Sequence, residues 1–420
     1  MRVLFSIFPA TAHLYPVVPL AHTLQAMGHD VCVAAAPDMA DEITAVGLKA
    51  VPVGRTADLG AVLPEVAGDD RLERLAARLG VDATDPQVRK AVRYRLISTI
   101  ALGHGPEPGT PPALDDLMDF ARAWSPDLVL WDPMCFGAAL AARACGAAQA
   151  RVLWGLDHFA WFAEETAALL GAAEGPDPAL ALDAMAGALR RLGRPQDHEL
   201  ITGQWSVDLM PQRMRLPSAL RYVPLRRVPY NGPGVVPQWL MHKPQRPRVC
   251  LTMGLSLRKY FKDDEELITG LLAAVSALDV EVVATVTAEQ FDASYTLPDN
   301  VRAIDYVPLD LVLPDCAAIV HHGGTSTFAA AAAHGVPQLI MPSTMGDHLA
   351  LARYVAGAGG GLFTERSEAT PERIAAQLAR ILEEPSFQRG AAEIHRDMLS
   401  APGPAEVVPV LERLTAEFRG

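Results

Sequence analysis

Short runs of apolar residues recur along the chain, separated by longer stretches whose apolar positions repeat at helical spacing. Arg2 to Phe8, Val31 to Ala35, Asp127 to Trp131 and Ala148 to Trp154 read as strands in the first half. Arg248 to Thr252, Val280 to Thr285, Ala317 to Val320 and Leu339 to Pro342 read as strands in the second. Runs with little polar alternation suit parallel strands covered on both faces by helices. The helical pattern falls between them: Pro16 to Met27 ended by Gly28, Phe136 to Cys145, Asp264 to Leu278, and the alanine-rich Thr325 to Ala333 stopped by Gly335 and Pro337. Thr370-Pro371-Glu372 marks a further helix start, with proline at its first position.

The same strand-loop-helix-strand opening occurs twice, so the pattern predicts two α/β domains of the doubly wound type facing each other across a cleft. Prolines recur from Pro211 to Pro247 around Tyr230-Asn231-Gly232-Pro233-Gly234, the composition of an extended linker. This places one domain at residues 1–241 with the linker, a second at 242–400, and a last helix at 401–420 expected to pack back on the first domain. Residues 55–118, with a polar helix around Asp69 to Gly80 and a loop at Gly103 to Pro112, read as an irregular insertion over the sheet, part of a pocket or lid.

One stretch organises the second half. Ile319-Val320-His321-His322 leads through Gly323-Gly324 into Thr325-Ser326-Thr327-Phe328, a strand, a glycine turn and a helix start. Free backbone N–H groups and the positive end of a helix dipole make such a turn an anion site. The hydroxyls of Thr325, Ser326 and Thr327 and the imidazole of His321 add donors suited to a phosphate or diphosphate; the plainer account is a capped helix with histidines filling space beside it. His13 and Asp132 each follow a strand at the ligand-binding edge, where an Asp can orient a His as a general base. No G-x-G-x-x-G stands in the first turn, so a dinucleotide fingerprint is lacking. Asp347, after the strand ending at Pro342, is placed to accept from sugar hydroxyls or to cap the next helix. Trp154, Phe159, Trp161 and Phe162 concentrate aromatics in a chain with 6% of them, giving either a stacking surface for a flat apolar ligand or one helix pinned to its own core.

With 420 residues and 50% hydrophobic content the chain can bury sizeable cores. A net charge of -13 argues against nucleic acid or an anionic membrane as the partner. Five scattered cysteines without C-x-x-C spacing suit reduced thiols rather than disulfides or structural zinc. Neither a signal peptide nor a run of about 18 apolar residues is visible, so the expected location is the cytoplasm.

The chain resembles the family 1 glycosyltransferases of GT-B fold, and within them the actinobacterial enzymes that attach deoxysugars from TDP-sugars to polyketide aglycones. The resemblance rests on His13 with Pro16-Val17-Val18-Pro19-Leu20-Ala21, Asp132 after Pro126-Asp127-Leu128-Val129-Leu130-Trp131, the linker Tyr230-Asn231-Gly232-Pro233, and the block from Asp305 to His348. It spans both domains. It implies that His13 is the general base oriented by Asp132, that His321 contacts the β-phosphate, and that Gly323, Gly324, Thr325 and Ser326 hold the diphosphate. Ser256 would approach the diphosphate too, Tyr306 and Val307 would border the base, and Asp347 would meet the sugar, with His348 standing where many relatives have glutamine. It further implies inversion at the anomeric carbon, no metal or other cofactor beyond the TDP-sugar co-substrate, and an apolar acceptor against Trp154 to Phe162. A sugar-nucleotide epimerase of the same fold, or a nucleotide-binding accessory subunit, is the rival; a homodimer or an auxiliary activator protein is compatible with each.

Overall fold

The computed structural model describes residues 1–56, 73, 76–77, 81–82, 84–101, 113–170, 199–255, 265–287, 296–343 and 346–420. The chain forms two units, Met1–Leu225 with Pro402–Gly420, and Arg226–Ala401. The division at Leu225 precedes the boundary near residue 242 that the proline-rich stretch suggests. Gln238–Met241 is a short 3-10 turn, and Trp239 and Leu240 pack on the second unit's core, which ties this stretch to that unit. The helix expected near Asp69 to Gly80 and the loop Gly103 to Pro112 lie largely or wholly outside the described residues.

Seven parallel strands build the first sheet in the order β3-β2-β1-β4-β5-β6-β7. They are β1 (Arg2–Ser6), β2 (Asp30–Ala35), β3 (Lys49–Pro52), β4 (Leu128–Trp131), β5 (Ala148–Leu153), β6 (Trp205–Asp208) and β7 (Tyr222–Pro224). Every residue of β4, β5 and β6 is buried, which is why these strands read as apolar runs without alternation. The chain leaves β1 toward β2 on one side and β4 toward β5 on the other, so a crevice opens at the carboxyl ends of the neighbours β1 and β4. The helix Pro404–Phe418 belongs to this unit: Phe418 packs on Trp205 at 5.5 Å between ring centroids, and Glu417 pairs with Arg221 at 3.4 Å.

Six parallel strands build the second sheet in the order β10-β9-β8-β11-β12-β13. They are β8 (Arg248–Thr252), β9 (Glu281–Thr285), β10 (Val301–Ile304), β11 (Cys316–His321), β12 (Gln338–Ile340) and β13 (Gly361–Phe363). Side-chain alternation divides its core into two layers. Val249, Leu251, Val282 and Ala284 pack with the helices Glu265–Ser276 and Pro371–Glu383 on one face, while Cys250, Val283 and Ile319 pack with Ala330 and Ala331 on the other. Alanine lets the helix Thr325–Ala333 lie close against the sheet. The order reverses between β8 and β11, which sets a second crevice after Thr252 and His321. All five cysteines are free, and burial raises the thiols of Cys135 and Cys250 well above their ordinary pKa. No described helix is long and apolar enough to cross a membrane.

Candidate active site

In the first crevice, His13 and Asp132 meet although 119 residues separate them in sequence. His13 sits in a one-turn helix, Thr11–Leu14, rather than in the loop its flanking residues suggest. Pro16 has no N–H to prolong that turn, and a separate helix starts at Val18. Asp132 directly follows β4 and is 4% exposed. His13 Nδ1 donates to Asp132 Oδ2 at 2.6 Å, and the other carboxylate oxygen accepts from the Met134 N–H at 2.9 Å. A carboxylate only accepts, so the proton of the neutral ring is on Nδ1 and the lone pair on Nε2. Phe8 and Trp154 wall the ring at 5.0 and 4.6 Å between centroids. The cavity adjoining the pair, lined by Ser6, Val17 and Trp131 among others, has about 10 Å³, room for no more than one water.

A buried ion pair fastens the turn that follows Trp154. Asp157, in the turn between β5 and the helix His158–Leu170, receives Arg151 at 2.7 and 2.5 Å, the Tyr222 hydroxyl at 2.9 Å and the Ala160 N–H at 3.0 Å. Arg151 also donates to Ser206 Oγ at 2.6 Å. Asp157→Ala leaves that guanidinium buried without its carboxylate and is expected to lower unfolding stability by about 3–5 kcal/mol. Urea unfolding followed by fluorescence measures it; an unchanged midpoint would refute the clamp.

The aromatic segment divides. Trp154 and Trp161 are half-buried, but Phe159 and Phe162 are core residues at 3% and 1% exposed, against the expectation that they line an acceptor surface. Helical spacing puts both on one face of the helix His158–Leu170, and Phe159 meets Phe136, the N-cap residue of the helix Gly137–Cys145, at 5.4 Å. Tyr94, from the helix Pro86–Ala101, stands edge-on to Trp154 at 5.7 Å and joins this wall. Only its place in the irregular insertion hinted at such a role.

In the second crevice the two adjacent histidines have different surroundings. His321 is fully buried: its Nδ1 accepts the Gly323 N–H at 3.0 Å and its Nε2 faces Gln338 Oε1 at 3.0 Å. Both ring nitrogens are occupied within the fold, and burial pushes its pKa down to about 4. In this arrangement the phosphate contact expected of His321 would require one of these two bonds to open. His322 differs. Its ring lies between two glycines, so that a Cβ on Gly254 would come within 2.5 Å of it and one on Gly324 within 2.6 Å. Gly254 also needs its positive φ of +73° to turn the chain there. The Nδ1 of His322 has no hydrogen-bond partner in the fold, burial pushes its pKa well below the ordinary value, and the ring meets His348 edge-on at 4.9 Å.

Around it, Gly323 takes φ +93° beside His348, whose Nδ1 is 2.6 Å from Ser343 Oγ. Gly324 is the N-cap of the helix Thr325–Ala333 and brings no capping side chain, so Thr325 and Ser326 stand in the first turn with their N–H groups. Asp347 occupies the N-cap position of the helix His348–Gly357, yet its carboxylate makes no capping bond. Tyr306 is exposed and its hydroxyl bonds to the Asn231 carbonyl, whereas Val307 is buried in the core at 4% and leaves Tyr306 as the accessible side chain of the pair. Ser256 lies outside the described residues. Among the described residues, no three His, Cys, Asp or Glu side chains are grouped so as to hold a metal ion.

Residues 22–254 match the erythromycin biosynthesis protein CIII-like N-terminal domain, and residues 269–414 match its C-terminal domain. The chain is 41% identical over 431 residues to aclacinomycin-T 2-deoxy-L-fucose transferase of Streptomyces galilaeus, covering 100% of this chain and 97% of that one. Its fold is similar to that of the spinosyn forosaminyltransferase SpnP, with a TM-score of 0.81, 38% identity and 99% of both chains covered. It is also similar to the glycosyltransferase VinC, solved in complex with dTDP, with a TM-score of 0.82, 36% identity and coverage of 99% of this chain and 100% of that one. Two parallel-sheet α/β domains with switch-point crevices, joined to these likenesses, identify the protein: it is a glycosyltransferase of the GT-B fold and belongs to the erythromycin biosynthesis protein CIII-like family.

Proposed function

We propose that this enzyme moves a deoxysugar from a TDP-sugar to the hydroxyl of an apolar polyketide-type aglycone, with inversion at the anomeric carbon and without a metal. The observation that carries the mechanism is the 2.6 Å bond between His13 Nδ1 and the buried Asp132. Asp132 fixes the ring so that Nε2 receives the acceptor proton as the oxygen attacks the anomeric carbon, and it stabilises the imidazolium that forms. Trp154 and Tyr94, both half-buried, supply aromatic surface beside that base for an apolar acceptor. A deoxysugar in the name of the Streptomyces galilaeus relative and dTDP in the solved complex support the donor class.

On the donor side, the C1–O bond breaks with its electron pair going to the diphosphate. The N–H groups opening the helix Thr325–Ala333 and the imidazole of His322 are donors already in position for that charge, and Asp347 and His348 stand beside them for the sugar. The test is turnover by the purified chain alone, with TDP-sugar, acceptor and chelator. Transfer with release of TDP is expected, and Asp132→Asn is expected to cut kcat by about 10²-fold or more, since an amide neither fixes the same tautomer nor stabilises imidazolium. Absence of turnover until a second protein is added would favour an accessory role, and an unchanged kcat in D132N would remove Asp132 from the mechanism.

A further inference from the structure

Beyond the histidine and helix-terminus donors, a charge arrives at the donor crevice from the segment that opens the second unit. Arg227 is 5% exposed, and its Nη2 donates to Ser326 Oγ at 2.8 Å. Ser326 is the second residue of the helix Thr325–Ala333, whose N-terminus carries the positive end of the dipole. Bringing a guanidinium there adds positive potential to positive potential, and burial pushes the Arg227 pKa down to about 10. This is the reverse of the placement that stabilises a helix, in which cations collect at the C-terminus. The arrangement suits a crevice that receives a multiply charged anion, when the guanidinium, the helix N–H groups and the unpartnered Nδ1 of the buried His322 converge on one ligand.

The segment carrying Arg227 is fastened along the same edge. The Tyr306 hydroxyl bonds to the Asn231 carbonyl, and Gly234 lies so close to Pro308 that a Cβ there would come within 2.3 Å of the ring. Ser326, accepting from Arg227, keeps its own proton to donate.

We propose that Arg227 is a catalytic residue of sugar transfer, its guanidinium binding the diphosphate of the nucleotide and stabilising the charge that develops on the leaving TDP. The C1–O bond breaks heterolytically, the electron pair leaves on the β-phosphate oxygen, and Arg227 donates to that diphosphate without losing a proton. This rests on the donor site proposed above.

The test is calorimetry with TDP and with thymidine, which has the base and sugar but no phosphate, on the wild type, Arg227→Gln and Arg227→Lys. Loss of a hydrogen bond to a charged group predicts TDP affinity about 10- to 100-fold weaker in R227Q, with thymidine unchanged and R227K between the two. Thermal unfolding without ligand checks folding; should R227Q fail to fold, R227K decides by the same TDP-to-thymidine contrast. TDP binding equal to wild type, or TDP and thymidine weakened alike, would overturn the role of Arg227. A wild-type protein that does not bind TDP would instead overturn the donor site itself.

Discussion

Alanine in place of His13 is expected to lower transfer by about 10²- to 10⁴-fold while the affinity for TDP stays within about twofold of wild type. The rate loss follows from the bonding of the ring. With Nδ1 held by Asp132 at 2.6 Å, Nε2 is the ring nitrogen that carries the lone pair, and Phe8 and Trp154 flank the ring. Water that enters the space left by the side chain is a far weaker base. Unchanged TDP binding follows from the fold, because His13 belongs to the first unit and the proposed diphosphate donors to the second. Acceptors should respond unequally: a phenolic hydroxyl, more acidic than an alcohol, should lose less in H13A than an aliphatic one. Single-turnover rates with both acceptors, alongside calorimetric TDP binding, measure this. Parallel loss of rate and TDP affinity would rule out the base assignment.

The His13–Asp132 meeting was legible in the sequence because topology, rather than contact chemistry, produces it. Each residue follows an apolar run, and in a doubly wound parallel sheet the ends of neighbouring strands share a crevice. The glycine turn after β11 was legible for the same reason: the strand, two glycines and an alanine-rich helix leave few other conformations. What the pattern could not resolve was which of two consecutive histidines keeps a ring nitrogen unpartnered within the fold. Strand side chains alternate, so the answer depends on the residue at which β11 ends and on Gln338 of the neighbouring strand offering a partner to His321. The roles of Phe159 and Phe162 were ambiguous because an aromatic cluster at helical spacing suits a core as well as a surface. Arg227 stood among charges in a proline-rich stretch, where nothing local marks a residue that burial and Ser326 single out. Likewise, the second unit begins at Arg226 because that stretch packs on its core, a tertiary fact with no signal in composition.

His322→Ala is expected to lower kcat by about 10²- to 10³-fold and to weaken TDP binding, the cost of removing one prearranged donor from a developing negative charge. His321→Ala should behave differently. It removes the acceptor of the Gly323 N–H and the partner of Gln338, so its main effect is on unfolding stability, and the folded fraction should still bind TDP. Acid titration separates the two residues further. The folded pKa of His321 is about 4, below its ordinary 6.5, so the fold favours the neutral ring. Its contribution to stability is present above pH 6.5 and is lost as pH falls through about 4. Over that window the H321A protein should lose less stability than the wild type. Fluorescence-detected unfolding at stepped pH, paired with TDP calorimetry at neutral pH, tests both substitutions. If H321A abolished TDP binding in well-folded protein while H322A bound it normally, the two histidines would exchange roles, and a phosphate contact through His321 would require the bond to Gln338 to break when the donor arrives.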